Sequence, residues 1–172
     1  FEFVDLSKID LDTTNFANLG IREDFDLDDR IDQLEVSFTN KGFVTTVWPP
    51  CRDSNGEWLE GRGRVTAGVN NNERWMPEAV YNREDTSAKN TITIGLSANL
   101  NGTLPSTSAS YDDIVNGGVH LINIGELTPT VADVNNWLVH DLELRNFFKQ
   151  NQITKMRDRV IEISTRDESL IL

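Results

Sequence analysis

The chain has 172 residues, of which 38% are apolar and 26% charged, with a formal net charge of −12. That length suits one domain with an accessory element, and it can bury a core without disulfide or metal staples. No apolar run approaches the ~20 residues of a membrane span, so no membrane partner is expected, and the acidity argues against a surface wholly devoted to nucleic acid.

Phe1 to Asp5 carry no basic-then-apolar leader pattern. Cys51 is the lone cysteine, which suits a reducing cytoplasm. The charge is unevenly spread. Residues 1–40 hold eleven acids against three bases, and residues 145–166 hold six bases against two acids. A polyanion would therefore meet the C-terminal part, or a small local pocket, first.

Val4 to Leu11 reads as extended, and residues 12–26 as an acidic loop. Asp26 is a good N-cap, with Asp28 and Asp29 where a helix dipole favours acids. Leu27, Ile31, Leu34 and Phe38 then recur at helical spacing up to Gly42. Phe43 to Trp48 is β-branched and aromatic, so a strand is predicted, ended by Pro49-Pro50. Asp53-Ser54-Asn55-Gly56 is a turn, Glu57 to Glu60 a short returning strand, and Gly61-Arg62-Gly63-Arg64 a tight turn opening a helix over Val65 to Asn70.

Glu78 to Tyr81 reads as a strand after Pro77. Ile92, Leu96 and Leu100 mark a helix over 88–100, and Tyr111 to Ile124 another, broken or kinked near Gly117-Gly118. From Pro129 onward, Val131, Val134 and Leu138, then Leu142, Leu144, Phe147 and Phe148, predict two amphipathic helices. Ile153, Met156, Val160 and Ile163 predict a third. The expected fold is α/β of the α+β kind: a small mixed sheet with helices over residues 1–105, then a helical extension over 106–172.

The sharpest local feature is strand, Gly61-Arg62-Gly63-Arg64, helix. Glycines let a backbone approach a ligand closely. A helix N-terminus offers unpaired N–H groups and a positive dipole end, and arginines add charge-assisted bonds to phosphate oxygens. The same pattern also describes a plain tight turn with solvated arginines.

Around this motif, Ser37-Phe38 and Lys41-Gly42 lead to Phe43-Val44, then Gly61-x-x-Arg64-x-x-Ala67, then Met76-Pro77-Glu78-Ala79-Val80. This order of elements resembles the ParB N-terminal domain, of the ParB/sulfiredoxin fold. That family shows a helix ending in S-I-x-x-x-G, a strand, a hairpin ending in G-E-R-R-x-x-A, and a short V-P-V strand. Asn18 to Phe25, with Arg22, resembles the family's opening N-x-R-x-x-F. The resemblance covers roughly residues 3–104.

It implies a turn that holds a nucleotide's phosphates, with CTP or ATP as the ligand type and magnesium as a companion. Family members include CTP-dependent DNA clamps, nucleases, an amino-acid kinase branch and sulfiredoxin. By position, Gly61, Arg62, Gly63, Arg64 and Thr66 become ligand-binding candidates. Arg62 stands where the family usually has Glu, Gly63 where it has its first Arg, and Thr46 where it often has Pro. The family's E-N-x-x-R falls on Ala98-Asn99-Leu100-Asn101-Gly102, so Asn99 becomes the metal candidate while Ala98 and Gly102 depart from the pattern. Those departures put hydrolysis in doubt.

Sulfiredoxin's cysteine lies in the phosphate turn, where this chain has Gly63, and Cys51 reads as a strand-end residue. Glu57 and Glu60 flank the turn and could replace the missing carboxylate as metal ligands or a base, although an exposed hairpin is the plainer reading. His120 and His140 fit no metal spacing, and Asp24, Asp26 and Asp28 read as a solvated face. The late basic cluster, Lys155, Arg157 and Arg159, is the DNA candidate; the other reading is a helical extension that packs on the domain or on a second subunit. The readings carried forward are a nucleotide-binding protein in DNA transactions, a metal-using nuclease or phosphotransferase of the same fold, and a non-catalytic assembly module.

Overall fold

The computed structural model describes residues 2–11, 30–41, 49–100 and 111–170. The predicted acidic loop, the N-cap at Asp26 and the strand over Phe43 to Trp48 lie outside them. The described chain forms an α+β fold that divides into two compact units, the first running to Thr86 and the second beginning at Ser87.

The first unit holds β1 (Glu2–Asp5), a 3-10 turn over Leu6–Lys8, α1 (Arg30–Lys41), β2 (Cys51–Asp53), β3 (Trp58–Glu60), α2 (Arg62–Asn70) and β4 (Trp75–Tyr81). The sheet order is β1-β4-β2-β3. β1 runs antiparallel to β4, with Phe3 opposite Pro77, and β2 runs parallel to β4, with Cys51 opposite Ala79. Pro77 therefore lies inside a strand rather than before one. Proline cannot donate to a ladder, and the ladder to β2 starts only beyond it, where the Ala79 amide donates to the Pro50 carbonyl at 2.9 Å.

The β2–β3 hairpin follows from its turn residues. The Asp53 carboxylate accepts the amides of Asn55 and Glu57, both at 2.9 Å, in the manner of an Asx turn. Gly56 takes φ +86°, a conformation that side chains resist. Val4, Leu6, Phe38, Trp58, Val65, Ala67 and Met76 form this unit's core. Gly68 lets α2 settle on the sheet, since a Cβ there would meet Met76 Cε at 2.6 Å and Leu6 Cδ1 at 2.7 Å. α1 joins α2 through Glu35 to Asn70 and Thr39 to Asn71, each at 2.9 Å.

The second unit is helical: α3 (Ala88–Leu100), α4 (Tyr111–Asn123), α5 (Val131–Asn136) continuing into a π-turn over Trp137–Asp141, a 3-10 turn at Leu144–Asn146, and α6 (Gln150–Leu170). α3 packs within this unit, although the sequence reading placed its residues in the first segment. α4 runs unbroken from Tyr111 to Asn123, without the expected break at Gly117-Gly118. Its glycines serve packing: a Cβ on Gly117 would meet Leu96 Cδ1 at 2.9 Å, and one on Gly118 would meet Val160 Cγ2 at 2.9 Å and the Trp137 ring at 3.0 Å. Trp137 is fully buried, and its indole N–H donates to Thr93 Oγ1 at 3.0 Å. The predicted helix over Leu142 to Phe148 is only the 3-10 turn, because Glu143 sits in the left-handed region at φ +53° and breaks the run. Among the described residues, no helix is long and apolar enough to cross a membrane.

Candidate functional site

β3 ends at Glu60, and the chain turns at Gly61 directly into α2. Gly61 has φ +104°, and a Cβ there would lie 2.5 Å from Pro50 Cβ and 2.7 Å from Pro50 Cα. Glycine is required twice over, by the dihedral and by the closeness of Pro50. The turn is shorter than the sequence reading has it. Arg62, Gly63 and Arg64 are the first three helical residues rather than loop. Their amides are the donors that a helix leaves without an intrahelical carbonyl. The first intrahelical bond, from the Val65 amide to the Gly61 carbonyl, measures 3.0 Å.

Arg64 is buried, and its guanidinium folds back over its own helix start to pair with the Glu60 carboxylate. Thr66 donates its hydroxyl to the Arg62 carbonyl at 2.7 Å. Gly61, Arg62, Gly63, Arg64, Thr66 and Glu60 are thus brought together at one helix start. Glu57 is not part of that group. Its carboxylate accepts from Arg83 at 2.7 Å at the turn end of the hairpin, and three residues of extended chain, about 10 Å, separate it from Glu60. Asn99 lies on α3, in the second unit. Among the described residues, no group of three or more His, Cys, Asp or Glu could hold a metal ion.

Electrostatics at the foot of the turn are acidic. Cys51 stands opposite Glu60 in the hairpin. Burial pushes its thiol pKa up, and the carboxylates of Glu60, Glu78 and Asp53 push it further. Cys51 should therefore alkylate slowly, with a pH–rate midpoint above that of free cysteine. Replacing Glu60 with Gln should move the midpoint partway back, and a midpoint unmoved by that change would show that Glu60 does not act on the thiol.

Four residues of this region were not candidates for the site in the sequence. Glu78 is fully buried on β4 and pairs with Arg52, and its Oε2 has no hydrogen-bond partner among the described residues. Arg52 also lies over the Trp58 ring, 5.3 Å from its centroid. Arg83 is buried and binds Asp53 at 3.0 Å as well as Glu57. Pro50 supplies the wall under Gly61. Only a residue-by-residue account of long-range partners could have found them.

The DNA candidates divide. Lys155 and Arg159 are four residues apart and share one exposed face of α6, whereas Arg157 points elsewhere and binds Asp158 at 3.0 Å. Arg159 is paired with Glu162 at 3.3 Å.

No family model, no curated protein and no solved structure matches the chain.

Proposed function

We propose that the chain is a phosphate- or nucleotide-binding module of the ParB-like kind, which takes its ligand's phosphates at the first turn of α2. One observation carries this reading. A strand passes through a left-handed glycine straight into a helix whose first three residues are Arg62, Gly63 and Arg64. That arrangement sets backbone donors and the positive end of a helix dipole at a turn that carries Arg62 and Arg64, the groups that phosphate capture uses. A CTP- or ATP-type ligand with magnesium, a role in DNA transactions and a cytoplasmic setting belong to the same proposal. Binding is favoured over catalysis, because Glu57 and Glu60 are each engaged by an arginine.

A second reading, assembly without a ligand, is supported by Pro50 filling the space at Gly61 and by Glu60 occupying Arg64. Thermal shift with CTP, ATP, GTP and their diphosphates, with and without magnesium, separates the two. A ligand at about a hundred times its dissociation constant should add roughly 2.7 kcal/mol. The mutant to use is Arg62→Gln, since removing Arg64 would also strip Glu60 of its partner. A shift lost in Arg62→Gln supports phosphate capture. No shift with any nucleotide leaves the assembly reading.

A further inference from the structure

We propose that the segment from Leu144 to Arg157, in the second unit, is a binding surface for single-stranded nucleic acid. Arg145, Lys149 and Lys155 would meet phosphates, and Phe147 would stack under a base. The proposal uses no residue of the α2 turn and is tested separately from it.

Leu144 to Arg157 contains four bases and no acid, in a chain whose 28 acids outnumber its 16 bases. With acids in such surplus, pairing is the expected fate of a surface cation. Arg157, Arg159 and Arg166 follow that expectation, bound to Asp158 or Glu162. Arg145, Lys149 and Lys155 are exposed and have no ion-pair partner among the described residues. Between the first two stands Phe147, with 47% of its surface exposed. The backbone beneath is fixed. The Phe147 and Phe148 amides donate to the Leu144 carbonyl at 2.9 and 2.8 Å, and Leu144, Ile153 and Met156 are buried. Lys149 immediately precedes α6, and Lys155 follows about 9 Å along the helix axis and about a third of a turn around it, so a flexible strand that wraps the start of α6 can touch both.

Cations interleaved with an exposed aromatic form a phosphate track with a stacking platform. A duplex hides its base faces, so Phe147 favours a single strand. A membrane surface fits less well. An interfacial helix must offer its apolar face to lipid, and here Ile153, Met156 and Val160 on that face are buried within the unit.

The test is fluorescence anisotropy of the full chain with a labelled oligo-dT strand, a duplex of equal length, and anionic vesicles as a third arm. Three phosphate contacts predict an affinity that falls roughly twentyfold between about 50 and 200 mM salt. Arg145→Ala/Lys149→Ala/Lys155→Ala should abolish binding while Arg159→Ala/Arg166→Ala leaves it intact. Phe147→Ala should weaken binding roughly tenfold without changing the salt slope. Thermal melts confirm folding, and Lys149→Glu alone carries the test if the triple variant does not fold. No binding at about 50 mM salt, or full binding by the triple variant, overturns the proposal. So does duplex affinity equal to single-strand affinity with Phe147→Ala silent, or capture by vesicles alone.

Discussion

Gly118→Val should destabilise the second unit by about 1–3 kcal/mol, the usual range for forcing extra methyls into a packed core. A Cβ at this position meets Val160 methyls at 2.9 and 3.1 Å and the Trp137 ring at 3.0 Å. Valine's better helix propensity returns only a few tenths of that. The neighbours cannot easily give way. Val160 is β-branched and stiff on α6, and Trp137 is held by its bond to Thr93. Denaturant unfolding followed by circular dichroism measures the loss. Val160→Ala in the same chain should recover part of it, because it removes the methyls in the way. If the two changes simply add, the close approach of α4 to α6 at Gly118 is not what the glycine serves.

Arg83→Met should cost about 3–5 kcal/mol at neutral pH, the range for stripping one partner from a buried ion pair. Asp53 is 2% exposed and Arg83 7%. Burial pushes the Asp53 carboxyl up, but the amides of Glu57 and Asn55 and the Arg83 guanidinium outweigh it and hold it below the usual carboxylate range. The sign of the pH dependence follows. A depressed folded pKa contributes stability that is fully present above the unfolded value of about 3.9 and is lost as pH falls through the folded value. The gap between wild type and Arg83→Met should therefore be widest near neutrality and narrow below about pH 4. Adding Asp53→Asn to Arg83→Met should restore much of the loss, since no unpaired charge then remains at 53. A gap that stays constant down to pH 2 would remove Asp53 from the explanation.

What could be read along the chain was local. The Asp53–Gly56 turn, the helical spacing of Ile92, Leu96 and Leu100, and the strand-to-helix passage at Gly61 each depend on residues a few positions apart, and each is present in the fold. What could not be read depended on distant partners. Pro77 sits inside β4 because the strands on either side make no demand on its missing donor. Gly117 and Gly118 resemble a break until Trp137 and Val160 are brought against them. At the candidate site the residues were legible but their engagement was not. Gly61, Arg62, Gly63 and Arg64 stood out as a unit, yet the Pro50 wall appears only once β2, β3 and α2 are in place, and Arg64 reaches Glu60, four residues back, because the helix begins at Arg62.

The sheet order also sets a sequence of events during synthesis. β1 leaves a ribosome before the other described strands, but among the described residues its only partner in the sheet is β4, with Glu2 to Asp5 paired to residues 75–78. The hairpin of β2 and β3 can close on itself as soon as it emerges. β1 must instead wait for some seventy residues of nascent chain, holding Phe3 and Val4 without a mate. Closing so long a loop is slow compared with forming a hairpin. Among the described strands β1 is therefore paired late, and a growing chain halted before residue 75 would hold it without β4.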